Sequence, residues 1–310
     1  MSTLSKTYFH DEAAAFAHLE GLMWPDGPTC PHCGNADADR ITRLKGQAHR
    51  LGVHKCNECR KQFTVKVGTV FESAHIPLNK MLQAVYLLTS SKKGISSHQL
   101  HRILQIQYKS AWFLAHRIRE AMRTGGLGPL GGEGKIVEAD ETYIADSEKK
   151  NYQYQKRTKN VGPHYKRKVL ALVERGGDLR TFHIDSVTSK EIGKIVLENV
   201  DRESSFMTDE GRHYRKVGKT FARHERVHHQ VKEYVRDDAH VNTLEGYFSI
   251  FKRGMKGVYQ HCAEKHLHRY LAEFDFRYNN RIARGIDDTE RAENALAGLK
   301  GKRLYYRQPS

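Results

Sequence analysis

Four cysteines in two tight pairs constrain this chain more than any other feature. Cys30-Pro-His-Cys33 and Cys56-Asn-Glu-Cys59 leave 22 residues between Cys33 and Cys56. Two CxxC knuckles at this spacing bring four thiolates to one tetrahedral Zn²⁺, and a segment this small has little core of its own without the metal. A lone CPHC beside a βαβ pattern would suggest a thiol redox motif, but the second pair and the missing βαβ context favour structural zinc. His32 and His54 lie near enough to replace a thiolate, although four cysteines already suffice. The fifth cysteine, Cys262, reads as a buried structural thiol.

The segment joining the pairs, RITRLKGQAHRLGVHK, carries five Lys or Arg and no acid. That charge suits a ribbon laid on phosphates. The whole chain has the same bias, with 52 Lys plus Arg against 36 Asp plus Glu and a net charge of +16. Polyanions are the favoured partners, nucleic acid before an anionic membrane surface. The N-terminal MSTLSKTYFHDEAAAF has no apolar core long enough for a signal peptide, and no run approaches the roughly 18 apolar residues of a membrane span. A cytoplasmic, nucleoid-associated protein with no membrane partner is the expectation.

Glycine sets the main boundary. TGGLGPLGGEG, residues 124–134, holds six Gly and one Pro between a helical region and a strand-rich one. The expected organisation is an N-terminal helix (1–28), a zinc ribbon (29–66), a helix-turn-helix (77–124), a Gly-rich linker (125–134), an α/β domain (135–285) and a basic C-terminal tail (286–310). Asp11 is placed to cap the first helix, DEAAAFAHLEGL. In GISSHQLHRILQIQYKSAWFLAHRIREAM, Leu100, Ile103, Leu104 and Ile106 face Ala111, Trp112, Ala115 and Ile118. This leaves Tyr108, Lys109, Ser110 and Phe113 where a recognition helix meets base edges. An ordinary helical hairpin is the alternative.

Beyond the boundary, KIVEADETYI reads as a strand, and KVLALVERGGDLRTFHID as two strands about a Gly-Gly-Asp turn. TSKEIGKIVLENV is a helix opened by a capping box of Thr188 and Glu191. A short strand in SSFMTDE and two further helices complete a mixed sheet covered by helices.

The first of those later helices, HVNTLEGYFSIFKR, has two unlike faces. At about 100° per residue Asn242, Glu245, Ser249 and Lys252 share one face, while Leu244, Tyr247, Phe248 and Phe251 crowd the other. Asp140 lies in the first strand of the α/β domain and Asp209 ends a later one. The three acids are 69 and 36 residues apart. Each alone reads as a solvated charge, and Glu138 and Glu141 show how many acids are available. Brought to one sheet edge, however, they would repel one another without a cation, and hard oxygen ligands suit Mg²⁺ or Mn²⁺. Lys252, two turns past Glu245, is placed to hold a phosphate.

The ordered set CPHCGN, CNECRKQF, the helix pair, VEADETYI, TDEGRHY, HVNTLEGYFSIFKRG and HLHRYLAEFDFRYNNR resembles bacterial insertion-sequence transposases that join a zinc ribbon to a ribonuclease-H-like DDE domain. The resemblance covers nearly the whole chain in the right order. It implies a DNA transposase in which Asp140 and Asp209 are the first two catalytic acids and Lys252 the basic residue past the third. The third ligand is Glu245 or Asn242, since this branch presents Asn as well as Glu; Glu245 is favoured for its spacing to Lys252. The resemblance also implies two catalytic Mg²⁺ or Mn²⁺ ions, in-line phosphoryl transfer, and double-stranded DNA partners, both terminal inverted repeats and target. A homodimer or higher oligomer would handle two element ends together. Further DNA contacts are expected from Arg253 and from the basic stretch 148–168, including Lys156, Arg157, Lys166, Arg167 and Lys168. Two rivals remain, a DNA-binding regulator derived from a transposase and a structure-specific ribonuclease-H-like nuclease.

Overall fold

The computed structural model describes residues 2–46, 48–144, 166–227 and 240–305. The chain divides into two compact units, Met1–Arg123 with Gly285–Ser310, and Thr124–Arg284. In the first, helix α1 (Glu12–Met23) opens where the Asp11 carboxylate accepts the Ala14 N–H at 2.7 Å. Strands β1 (Ile41–Arg43), β2 (His54–Cys56) and β3 (Gln62–Phe63) follow as a small antiparallel sheet in that order. Its core is Ile41, Phe63, Cys30 and Cys56, with Trp24, Cys59 and Val67 against them.

Three helices come next, α2 (Leu78–Ser90), α3 (Ser97–Leu104) and α4 (Tyr108–Met122). Ser96 and Gln99 form a complete capping box at the start of α3. The chain then turns at Gln105, which is left-handed at φ 51°. Leu100 and Leu104 are buried, as are Ala111, Ala115 and Ile118 of α4. Ile103, assigned by pattern to the same stripe, is instead 53% exposed. It stands about 100° around the helix from Leu104, outside the narrow stripe that a two-turn helix buries.

The second unit is built on a five-stranded sheet. Its elements run β4 (Ile136–Ile144), β5 (Arg167–Glu174), β6 (Leu179–Ile184), α5 (Ser189–Asn199), β7 (Ser205–Thr208), α6 (Tyr214–Gly218), β8 (Arg223–Arg226), α7 (Asn242–Gly254) and α8 (Leu267–Asn279). The strand order is β6-β5-β4-β7-β8. The β4–β5 and β5–β6 pairs are antiparallel, whereas β4–β7 and β7–β8 are parallel. Val169, Ala171 and Val173 of β5 pack with the apolar residues of α7 and α8, among them Cys262 in the preceding loop. Leu170 and Leu172 pack on the other face against α5 and α6. A sheet covered on both faces explains why β5 is apolar throughout rather than alternating.

Local caps differ from expectation in one detail. Thr188 accepts the Glu191 N–H at 3.3 Å, but the Glu191 carboxylate takes the N–H groups of Asp185 and Ser186. These donors follow the end of β6 and lie outside its ladder, so they compete successfully for the carboxylate. The Gly-rich segment also differs. Leu130 is buried, its N–H donates to Asn199 O at 2.7 Å, and the N–H groups of Gly131 and Gly132 donate to Glu174 and Ser204. Gly131 has φ 89°, and a Cβ there would stand 2.0 Å from Ser204 Oγ. The second half of the expected linker is therefore part of the α/β unit.

A buried acid ties α7 to the sheet. Glu138 is fully buried in β4, and its carboxylate accepts from Arg175 Nε (2.6 Å), Thr243 Oγ1 (2.8 Å) and the N–H groups of Thr243 (3.1 Å) and Leu244 (3.3 Å). It thus satisfies donors at the start of α7 that no helical carbonyl reaches. Removing one partner of a buried pair leaves the other charge uncompensated, so Glu138→Ala should cost about 3–5 kcal/mol. Urea unfolding measures this, and a midpoint equal to wild type would refute the anchoring role.

The last helix, α9 (Asp288–Ala297), belongs to the first unit. It occupies most of the segment expected as a basic tail. Asp287 caps it through the N–H groups of Thr289 and Glu290, and Arg291, Ala292, Ala295 and Leu296 are buried. Its apolar positions are small or few, which hid it from a search for bulky stripes.

Candidate functional site

Two constellations carry chemistry. In the ribbon, the Sγ atoms of Cys30, Cys33, Cys56 and Cys59 all lie within 4.8 Å of one another. Cys30 and Cys59 are 3.6 Å apart and Cys33 and Cys56 are 3.7 Å apart. A tetrahedron with Zn–S bonds of about 2.3 Å has edges of about 3.8 Å, so the cage fits Zn²⁺. Backbone N–H groups of Cys59 and then Glu58 draw the Cys56 thiol down to about 6, towards the thiolate that a metal needs. Neither nearby histidine is in the cage. His32 is exposed. His54 is buried, 5.7 Å from the Phe63 ring and 5.4 Å from that of Trp24, and burial lowers its pKa.

The second constellation stands at the end of the parallel β4–β7 ladder. Ala139 pairs with Thr208, so Asp140 and Asp209 are the next residues along neighbouring strands. Asp140 is opposite Ala171 and faces α7. Burial first, then the carboxylates of Glu141, Asp209 and Glu245, push its pKa up to about 8. Asp209 and, most weakly, Glu245 thus act on the charge of Asp140, while among the described residues the ligand atoms of Asp209 group with those of Glu141 and His213. Burial and Glu141 raise Asp209 as well, while the Gly211 N–H donates to its carboxylate at 2.9 Å.

Helix α7 presents the faces its sequence dictates. Leu244, Tyr247, Phe248 and Phe251 are buried, and Asn242, Glu245, Ser249 and Lys252 are exposed. Asn242 is the first helical residue and Glu245 lies one turn on. The Arg253 guanidinium folds back onto Ser249, donating to its carbonyl and its hydroxyl.

Sequence reasoning missed part of the centre. Glu141, next to Asp140 on the strand, points to the opposite sheet face, where it accepts from Tyr214 Oη at 2.7 Å and lies 3.1 Å from His213 Nε2. Ligand atoms of Glu141, Asp209 and His213 lie within 4.8 Å of one another. Strand alternation could have separated Glu141 from Asp140, but no spacing rule marks His213 or Tyr214.

An acid held protonated by burial and by its neighbours has a pH signature. An ordinary Asp, near 3.8, has lost its proton long before pH 6, whereas Asp140 in the fold keeps it to about 8. The stability this proton confers is present at low pH and is lost as pH rises through about 8. Without divalent cations, the protein should be about 2 kcal/mol less stable at pH 8 than at pH 6. Mn²⁺ should reverse this, and Asp140→Asn should remove the share that Asp140 contributes. Asp275, raised to about 7 by burial, contributes in the same sense and remains in the variant. Thermal melts across this range decide the matter, and a profile insensitive to Mn²⁺ would count against a cation at Asp140.

The predicted DNA contacts divide. Tyr108 and Lys109 are exposed at the start of α4, with Ser110 half-buried and the Tyr108 ring stacked 4.3 Å from His98. Lys166 is exposed, but Lys168 Nζ donates to Asp185 O at 2.8 Å. Arg167 is buried and its guanidinium donates to Cys262 O, so it is corrected from a DNA contact to a core residue. It begins β5, where alternation turns it inward. Lys156 and Arg157 lie outside the described residues. Among the described residues no helix is long and apolar enough to cross a membrane.

Comparison with known proteins finds two family models along the chain. Residues 129–279 match the ISXO2-like transposase domain and residues 10–62 the transposase zinc-ribbon domain. An uncharacterised protein in transposable element ISH50 of Halobacterium salinarum is 27% identical over 286 residues, covering 88% of this chain and 92% of that protein.

Proposed function

The chain belongs to the insertion-sequence transposases that pair a transposase zinc ribbon with an ISXO2-like transposase domain, and from that premise we propose that it cuts the ends of a mobile element and joins them to new DNA. The observation that carries this reading is Asp140, half-buried beside Asp209 at the end of the β4–β7 ladder and raised to about 8 by burial and the carboxylates of Glu141, Asp209 and Glu245. Carboxylates close enough to raise the pKa of Asp140 suit divalent cations with hard oxygen ligands. Such ions, when bound, activate an attacking oxygen and stabilise a leaving 3′ oxygen.

In this reading the chain's residues mainly hold and orient. Asp140 and Asp209 are the first two ligands. Glu245, whose charge acts on Asp140, is the third, and Asn242 is an amide oxygen one turn before it. Lys252 steadies a phosphate, and Glu138 fixes the start of α7 so that these side chains share one position. The strand order β6-β5-β4-β7-β8 with helices on both faces supports a ribonuclease-H-like domain. The α3–α4 pair, with its tight turn at Gln105, supports a helix-turn-helix that places Tyr108 and Lys109 on element ends. The partners are terminal inverted repeats and target DNA, handled in the nucleoid by a homodimer or higher oligomer.

The test mixes the full chain with supercoiled plasmid and labelled duplex carrying the gene's flanks in Mn²⁺. Labelled ends joined to plasmid support transposition. Tight binding without cleavage would make the chain a regulator, and nicking without joining a nuclease.

A further inference from the structure

On the sheet face that carries Glu141, a cavity of about 570 Å³ is lined by Arg215, Lys216, Lys219, His224 and Arg226. Arg215 and Lys216 come from α6, Lys219 follows it, and His224 and Arg226 come from the edge strand β8. Among the described residues no acid and no Phe, Tyr or Trp lines it. Arg226 is opposite Thr208 in the parallel ladder, which sets it one register step from Asp209.

The hollow has a fixed back wall. His224 Nε2 lies 3.0 Å from Thr208 Oγ1, and its ring is 5.5 Å from that of Phe206. Helix α6 lies directly over the imidazole because residue 218 is glycine; a Cβ there would stand 2.0 Å from His224 Nδ1. Burial lowers the His224 pKa, so the positive charge comes from the four Lys and Arg. Arg215, Lys216 and Lys219 are exposed, and among the described residues none is in an ion pair. Cations gathered around one hollow repel one another and are stabilised by a polyanion, whose binding also releases counterions. Among the described lining residues there is no aromatic platform for a base to stack on, and the four cations match phosphates.

We propose that the Arg215, Lys216, Lys219, His224 and Arg226 hollow binds the phosphodiester backbone of the DNA presented to the acidic centre. This rests on the reading of the chain as a DNA-joining enzyme. The hollow grips the strand away from the reacting phosphate, so it sets affinity and register and takes no part in the chemistry.

The test measures anisotropy of a labelled duplex carrying the gene's flanks, bound by the zinc-loaded full chain without added divalent cation, across a salt series. The Arg215→Gln, Lys216→Gln, Lys219→Gln triple variant is compared with wild type and with a control triple on the same unit, Lys190→Gln, Lys194→Gln, Arg202→Gln. Each phosphate contact contributes a slope of about 0.9 in log affinity against log salt, so the hollow triple should be shallower by about 2–3 and bind roughly 10-fold or more weakly at physiological salt. The control should change little, and melting temperatures should agree. An unchanged slope in the hollow triple, or an equal loss in the control, overturns the proposal. Micromolar uptake of inorganic phosphate, lost in the hollow triple while its DNA slope stays at wild type, overturns it in favour of a free-anion site. Failure of the wild type to bind DNA at all would instead overturn the transposase reading beneath it.

Discussion

An Asp209→Asn protein should bind flanking DNA as wild type does and lose strand joining by about 10³-fold or more. The substitution is nearly isosteric, so the Gly211 N–H keeps an oxygen acceptor at the same place. What disappears is one negative charge from a centre whose members already raise one another's pKa values. Folding should tolerate this well, because removing a charge relieves repulsion between Asp209 and Glu141. Cation binding should suffer, since an amide supplies an oxygen but no charge. Melting temperature, DNA affinity and joining therefore part company in this variant. Joining at near wild-type rate would remove Asp209 from the chemistry, and loss of DNA binding together with joining would recast it as a structural residue.

The second large effect concerns the ribbon. Chelation of zinc, or Cys56→Ser, should unfold residues 29–66, because β1 to β3 bury Ile41 and Phe63 largely against the cysteines. Structural zinc in small modules is worth about 10–16 kcal/mol of binding free energy, more than such a core can replace. Trp24 reports this directly. Its ring lies 5.8 Å from Phe63 and 5.4 Å from His54, so its emission should move to the red as the ribbon opens. A Trp112→Phe background removes the other tryptophan. Unchanged Trp24 emission after complete zinc loss would mean that the ribbon holds without metal.

Much of this architecture was legible from residue pattern alone. The cysteine spacing marked the ribbon, and the 100° periodicity of residues 242–253 separated the buried and exposed faces of α7 correctly. Asp140 could be assigned to a strand and Asp209 to the end of another, because β4 carries the β-formers Ile136, Val137, Thr142, Tyr143 and Ile144 around its acids and β7 is a short run followed directly by acid. What pattern does not carry is pairing. Nothing in one strand states that its neighbour is parallel and in register, so the adjacency of Asp140 and Asp209 emerged only with the sheet. Glu141, His213 and Tyr214 meet across a strand and a five-residue helix, contacts that leave no periodic trace. Arg167 was misread because a basic run suggests solvent, although strand alternation turns one of its members inward. The segment 288–297 was misread for the opposite reason, since its buried positions include Arg291 and two alanines.

Glu138 and Asp140 are two residues apart on one face of β4, yet their fates as ion-binding groups differ. Arg175, Thr243 and Leu244 already saturate the oxygens of Glu138, so an incoming cation would have to displace an arginine and three other donors to reach it. Asp140 is described with a single N–H donor, from Glu141, and is otherwise crowded by like charges. If a divalent ion binds as proposed, the strand would therefore partition it by saturation. Selectivity between neighbouring carboxylates would then come from which of them the protein has left thirsty, and a variant that freed Glu138 from Arg175 would offer the ion a decoy beside Asp140.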